Sequence, residues 1–129
     1  MNAVLVISAE HNSSLISPQD RTASVYFGDG AGAAVIQPVR DGYGFLSFDL
    51  GADGSGQNAI IVPAGGSRLP TSEATVKIVE EKHGVIRNKH HFAMDGRAVY
   101  DFVQHTLPLT LEHAAQLAGK TLDQVDYFV

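Results

Sequence analysis

The run Ala3-Val4-Leu5-Val6-Ile7 is apolar at every position. A short run without polar alternation reads as a β-strand buried on both faces. Such a strand needs cover on both sides of its sheet, which constrains the chain to a layered architecture. It is an unusual way to begin a protein, because a buried central strand normally joins strands already in place.

The segments that follow fit an α/β pattern. His11 to Asp20 is polar and contains Pro18, hence a loop. Thr22–Phe27 reads as a second strand, Gly28–Gly32 as a connection, and Ala33–Gln37 as a third strand. Phe45–Leu50 alternates as a fourth. Gly51–Gln57 is a glycine-rich turn, Ile60–Pro63 a short apolar stretch, and Ala64–Ser72 a loop. Then Val99, Phe102, Val103, Thr106, Leu107, Thr110, Leu111, Ala114, Leu117 and Ala118 recur at helical steps. Asp95 or Gly96 is placed to cap this helix, Pro108 to kink it or mark a bent start, and Gly119 to end it. Thr121 with Gln124 resembles a capping box before an apolar strand, Asp126–Val129. Both ends of the chain read as cut.

Composition removes several function classes. The 129 residues are 44% hydrophobic and 18% charged, the balance of a globular chain. A net charge of -5 gives no basic field for a nucleic-acid backbone. No apolar run approaches the roughly 20 residues that cross a bilayer, and no basic n-region opens a secretory signal. A soluble cytoplasmic protein without nucleic-acid or membrane partners is expected. There are no cysteines, so no disulfide, thiolate metal site or cysteine nucleophile resides here. The six histidines show no metal-ligand spacing, and no metal site is expected.

The densest signal is Phe27-Gly28-Asp29-Gly30-Ala31-Gly32-Ala33-Ala34. Glycines at every second position permit close backbone approach. The block fits a plain hairpin, a tight connection beneath an active site, or a phosphate cradle. The cradle fits least well, because the residues after it read as strand rather than as a helix N-terminus. Arg21, in Asp20-Arg21-Thr22, is either a solvated arginine or a phosphate contact. Met94-Asp95-Gly96-Arg97 places Arg97 and backbone donors at a helix start, an anion site or an ordinary cap. Glu80-Glu81-Lys82 with Lys77 reads as a solvated face.

Asp20-Arg21-Thr22, Phe27–Ala34, Gly51-Ala52-Asp53-Gly54-Ser55 and Met94-Asp95-Gly96-Arg97-Ala98-Val99-Tyr100 occur in one order over nearly the whole chain. In that order and spacing they resemble the middle third of β-ketoacyl-acyl carrier protein synthase III, of the thiolase-like superfamily. The resemblance implies two similar halves stacked as α-β-α-β-α, with residues 1–40 finishing the first half and 41–129 beginning the second. It implies a decarboxylative Claisen condensation in fatty-acid biosynthesis. An acyl group passes from coenzyme A to a cysteine, malonyl-acyl carrier protein loses CO2, and the carbanion attacks the thioester. Coenzyme A enters as a substrate thioester, with no separate cofactor. A cytoplasmic homodimer is implied for the parent, with the Ala3–Ala9 region near its interface.

The family's cysteine lies upstream of this match and its histidine and asparagine downstream. The chain therefore reads as an internal fragment, inactive alone, with bare sheet faces that should make it associate. Position by position, Arg21, Thr22, Gly96, Arg97 and Tyr100 match contacts to coenzyme A. Thr22 stands where glycine is common, and Arg97 where asparagine is. Phe27, Ile60, Phe92 and Met94 match the acyl-pocket lining. All four are apolar, as a chamber that excludes water requires. Ordinary core is the alternative for Phe27, Met94 and Tyr100. Alternative functions are a sibling condensing enzyme (hydroxymethylglutaryl-CoA synthase-like or a polyketide starter acyltransferase) and a non-catalytic module binding acyl-CoA or carrier protein.

Overall fold

The structure, a computed structural model, describes residues 3–129; residues 1 and 2 of the expected first half lie outside the described residues. Its strands are β1 (Val4–His11), β2 (Asp29–Ile36), β3 (Ile60–Ile61), β4 (Val79–Glu80), β5 (Ile86–Arg87) and β6 (Ala93–Met94). Its α-helices are α1 (Glu73–Val76) and α2 (Gly96–Leu117). All pairings are antiparallel and two-stranded: β1 with β2, β3 with β6, and β4 with β5.

β1 forms where the apolar run predicts it, but its side chains are exposed along its whole length. Within the described residues it pairs only with β2. The glycine block is a strand, not a turn. Gly30 and Gly32 stand opposite Glu10 and Ser8 within the β1–β2 ladder. A Cβ at Gly30 or Gly32 would meet nothing within 4 Å, so this face of β2 lies bare, as does Gly28 just before it. With Asn12, these residues line a shallow cavity of about 430 Å³.

Thr22–Phe27 is a coil of turns rather than a strand. The reason is Asp20, whose Oδ1 accepts the Thr22 N–H at 2.9 Å and whose carbonyl accepts the Ser24 N–H at 2.9 Å. Such side-chain bonding offers the backbone an alternative to the ladder and outweighs the β-branched composition. Phe45–Leu50 also lacks a ladder. Ser47 Oγ donates to the Ala114 carbonyl at 2.7 Å, and Asp49 meets His113 Nδ1 at 2.9 Å, so the segment lies along α2 instead. Asp126–Val129 likewise has no partner strand among the described residues.

α2 follows its expected stripe. Asp95 is its N-cap, accepting from the Arg97 and Ala98 N–H groups. The helix runs on through Pro108, which costs it one backbone donor. At its C-terminus, Gly119 turns left-handed at φ 66°, Gly119 N–H reaches Gln116 O, and Lys120 N–H reaches Ala115 O. That pair of bonds is a Schellman motif. Gln124 Oε1 then accepts the Thr121 N–H at 3.0 Å, as the capping box predicts.

The interior is thin. Ala23, Ala64, Val85 and Ala115 are the buried apolar residues, and Ser17, Asp20 and Thr75 the buried polar ones. Residues 12–27 fold back onto residues 64–94. The Phe92 N–H donates to Leu15 O at 2.8 Å, and Ser17 Oγ donates to Ile86 O at 2.6 Å. These bonds run across the expected boundary near residue 40.

Candidate functional site

The four residues expected to line an acyl pocket form two pairs joined by one stretch of chain. The rings of Phe27 and Phe92 stack at 5.1 Å with 16° between their planes. Ile60 stands opposite Met94 in the β3–β6 ladder, and the Asp95 N–H donates to Ala59 O at 2.8 Å. Phe92 and Met94 are alternate residues on the same segment, which continues into the cap of α2. Met94 Cε lies 4.0 Å from where a Cβ on Gly96 would stand, so the helix start abuts the same cluster. Phe27 also walls a cavity of about 290 Å³ with Ser13, Ile16, Pro18 and Ser24.

The polar candidates occupy two places. Arg21 and Thr22 lie exposed on the Asp20 turn, where Thr22 donates through its N–H and its hydroxyl to Asp20 Oδ1. Gly96, Arg97 and Tyr100 lie on the first turns of α2. Tyr100 is exposed, and Arg97 Nε donates to Asp101 Oδ2 at 2.9 Å, an i,i+4 pair in solvent. No hydrogen bond or ion pair joins the two groups among the described residues.

Between them sits a cluster that the sequence does not announce. The Asp20 carboxylate is fully buried. Arg87 Nη1 donates to its Oδ2 at 2.8 Å and also to the Phe92 carbonyl at 3.3 Å. Arg87 Nε and Nη2 grip both oxygens of Glu81, at 3.2 and 2.6 Å. Glu81 is therefore a partner of Arg87 rather than part of a merely solvated face. Burial alone would lower the Arg87 pKa, but Glu81 and then Asp20 raise it, so the guanidinium is held charged. The signal for this cluster was only an aspartate at the start of an apolar turn, with no hint of its partner 67 positions on.

Five histidines have structural partners; His105 Nδ1 lies 2.6 Å from Asp101 O and His11 Nε2 3.6 Å from Asp29 Oδ2. His90 Nε2 lies 3.1 Å from Thr75 Oγ1, and His91 Nδ1 accepts the Asn88 N–H at 3.1 Å. Burial, then the neighbouring His90, holds the His91 pKa below its ordinary value. His113 faces Asp49. On β2, Asp29 takes the Ser13 hydroxyl and N–H at 2.6 and 2.8 Å, and these bonds lower its pKa. No metal-binding group of three ligands occurs among the described residues. No helix among them is long and apolar enough to cross a membrane.

Residues 1–54 match the family model of 3-oxoacyl-[acyl-carrier-protein] synthase III. The β-ketoacyl-[acyl-carrier-protein] synthase III of Caldanaerobacter subterraneus subsp. tengcongensis is 40% identical over 126 residues, 98% of this chain and 35% of that protein. The enzyme of that name from Clostridioides difficile is 43% identical over the same shares of each. A 2.1 Å crystal structure of 3-oxoacyl-(acyl-carrier-protein) synthase III superposes with TM-score 0.88 and 28% identity, covering 97% of this chain and 37% of that one. Over nearly its whole length the chain is similar to the 3-oxoacyl-[acyl-carrier-protein] synthase III family. The Thermus thermophilus synthase III structure agrees, with TM-score 0.71 and 33% identity over 96% of this chain. The α/β class, with the thiolase-like fold of synthase III, is thus established. The chain spans about a third of the length of the curated synthase III relatives it matches.

Proposed function

We propose that this chain forms part of a condensing enzyme that joins an acyl-CoA starter to malonyl-acyl carrier protein in fatty-acid biosynthesis. In this reading Phe27, Ile60, Phe92 and Met94 wall the acyl chamber. Arg21 and Thr22 contact the coenzyme A end of the thioester, and Gly96, Arg97 and Tyr100 flank the pantetheine path. Coenzyme A is a substrate carrier, and no further cofactor takes part. The whole protein is a cytoplasmic homodimer. Residues 1–40 finish one thiolase-like half and 41–129 begin the other, which places the Phe27–Phe92 stack at the seam.

The observation that carries the reading is the stretch Phe92–Gly96, which ties both apolar pairs to the start of α2. A thioester chamber needs this combination: apolar walls to keep water from a carbanion, beside a polar exit for the carrier. The chain contains no cysteine. The thiolate that accepts the acyl group therefore comes from elsewhere in the longer protein. The exposed apolar residues of β1, β2 and α2 also favour a larger assembly.

The test is a replacement. This segment takes the place of the matched third of the Clostridioides difficile relative, and the chimera is given acetyl-CoA and malonyl-acyl carrier protein. The expected result is an acetylated cysteine and release of CO2 with a 3-oxoacyl product. A folded chimera that forms neither overturns the reading.

A further inference from the structure

The Arg87 side chain bonds both Asp20, which holds the Arg21–Thr22 turn, and Phe92 of the apolar wall. Its Nη1 bonds the buried Asp20 carboxylate and the Phe92 carbonyl, while its other donors are fixed on Glu81. Asp20 in turn holds the Thr22 N–H and hydroxyl. A continuous chain of polar contacts thus runs from Thr22 through Asp20 and Arg87 to Phe92, whose ring stacks on Phe27. Ser17 Oγ closes the other side by donating to Ile86 O, next to Arg87 in sequence. A guanidinium can serve three acceptors in one plane because its donors form a rigid fork; a lysine ammonium has no such geometry. The Arg87 side chain is 14% exposed, so water cannot readily take over these bonds.

We propose that Arg87 is a positioning residue that fixes the separation between the Arg21–Thr22 turn and the Phe27–Phe92 wall. Its consequence for thioester binding rests on the acyl-CoA reading above. Arg87 does not touch the reacting atoms. It sets how far the mouth stands from the chamber, and so which thioesters sit with the acyl group against the wall and the coenzyme A at the turn.

The test uses the chimera described above, its R87Q and R87K variants, and two readouts. The first is amide hydrogen exchange by mass spectrometry. R87Q should speed exchange roughly tenfold more in the peptides covering 17–27 and 86–94 together than in the peptide covering α2. R87K should fall between, because it keeps the charge and loses the fork. A residue that only added global stability would move α2 equally. The second readout is calorimetric titration with acetyl-CoA, where R87Q should weaken binding roughly tenfold. Coupled exchange without acetyl-CoA binding by the unsubstituted chimera keeps the positioning role and sinks the thioester reading. Binding without coupled exchange does the reverse. Uniformly fast exchange of this segment in the unsubstituted chimera, or equal acceleration of all three regions, overturns the role of Arg87.

Discussion

The ring of Phe27 lies 5.1 Å from that of Phe92, nearly parallel to it, although 65 positions separate them. This stack joins the segment after β1 to the segment before α2, and both rings are only half-buried. Stacked aromatic pairs contribute about 0.5–1.5 kcal/mol beyond the area they bury. A double-mutant cycle of F27A and F92A, read by urea denaturation, should show a coupling of that size. Additive single effects would mean that the rings merely occupy the same region.

The Arg87–Asp20 pair predicts an asymmetric mutational pattern. R87Q leaves the buried Asp20 carboxylate without its cation, and breaking a buried pair this way costs about 3–5 kcal/mol. The double variant D20N/R87Q removes the uncompensated charge and should recover a large part of that loss. Denaturation midpoints of the two single variants and the double check this. Equal destabilisation by R87Q and by the double variant would contradict it.

The ends of α2 can be tested separately. Asp95 accepts from Arg97 N–H at 3.1 Å and Ala98 N–H at 3.0 Å, so D95A should cost about 1 kcal/mol. Gly119 sits at φ 66°, where any Cβ adds strain, so G119A should cost about 1 kcal/mol as well. The sites are far apart along the helix, and their effects on the thermal midpoint should add.

Local chemistry was readable from the sequence, and pairing was not. Asp95, Gly119 and the Thr121–Gln124 box act within a turn of their own position, so the residue types alone place them. Phe45–Leu50 has the alternation of a strand, but Ser47 and Asp49 bind α2 and leave it without a ladder. Thr22–Phe27 has strand composition and is coiled by Asp20, whose burial depends on the distant Arg87. The apolar run of β1 made the strand legible but not its cover, because cover is a property of other segments. The two apolar pairs of the candidate site came from the family pattern. Spacing alone could not bring Phe27 to Phe92.

His91 gives the molecule a pH dependence of defined sign. Its Nδ1 accepts the Asn88 N–H, which requires the ring to be unprotonated there, and burial followed by His90 lowers its pKa below the ordinary 6.5. The unfolded chain therefore binds a proton at a higher pH than the folded one. Above the ordinary value neither state is protonated at this ring, and folding carries no penalty. As pH falls below it, the unfolded state takes up the proton first, and stability drops until the folded-state pKa is reached. Denaturation of the unsubstituted chain between pH 8 and 5 should show this decline. H91N, which has no titrating ring, should be less stable at pH 8 and should show a shallower fall on the acid side. Parallel pH profiles for the two proteins would remove His91 as the source.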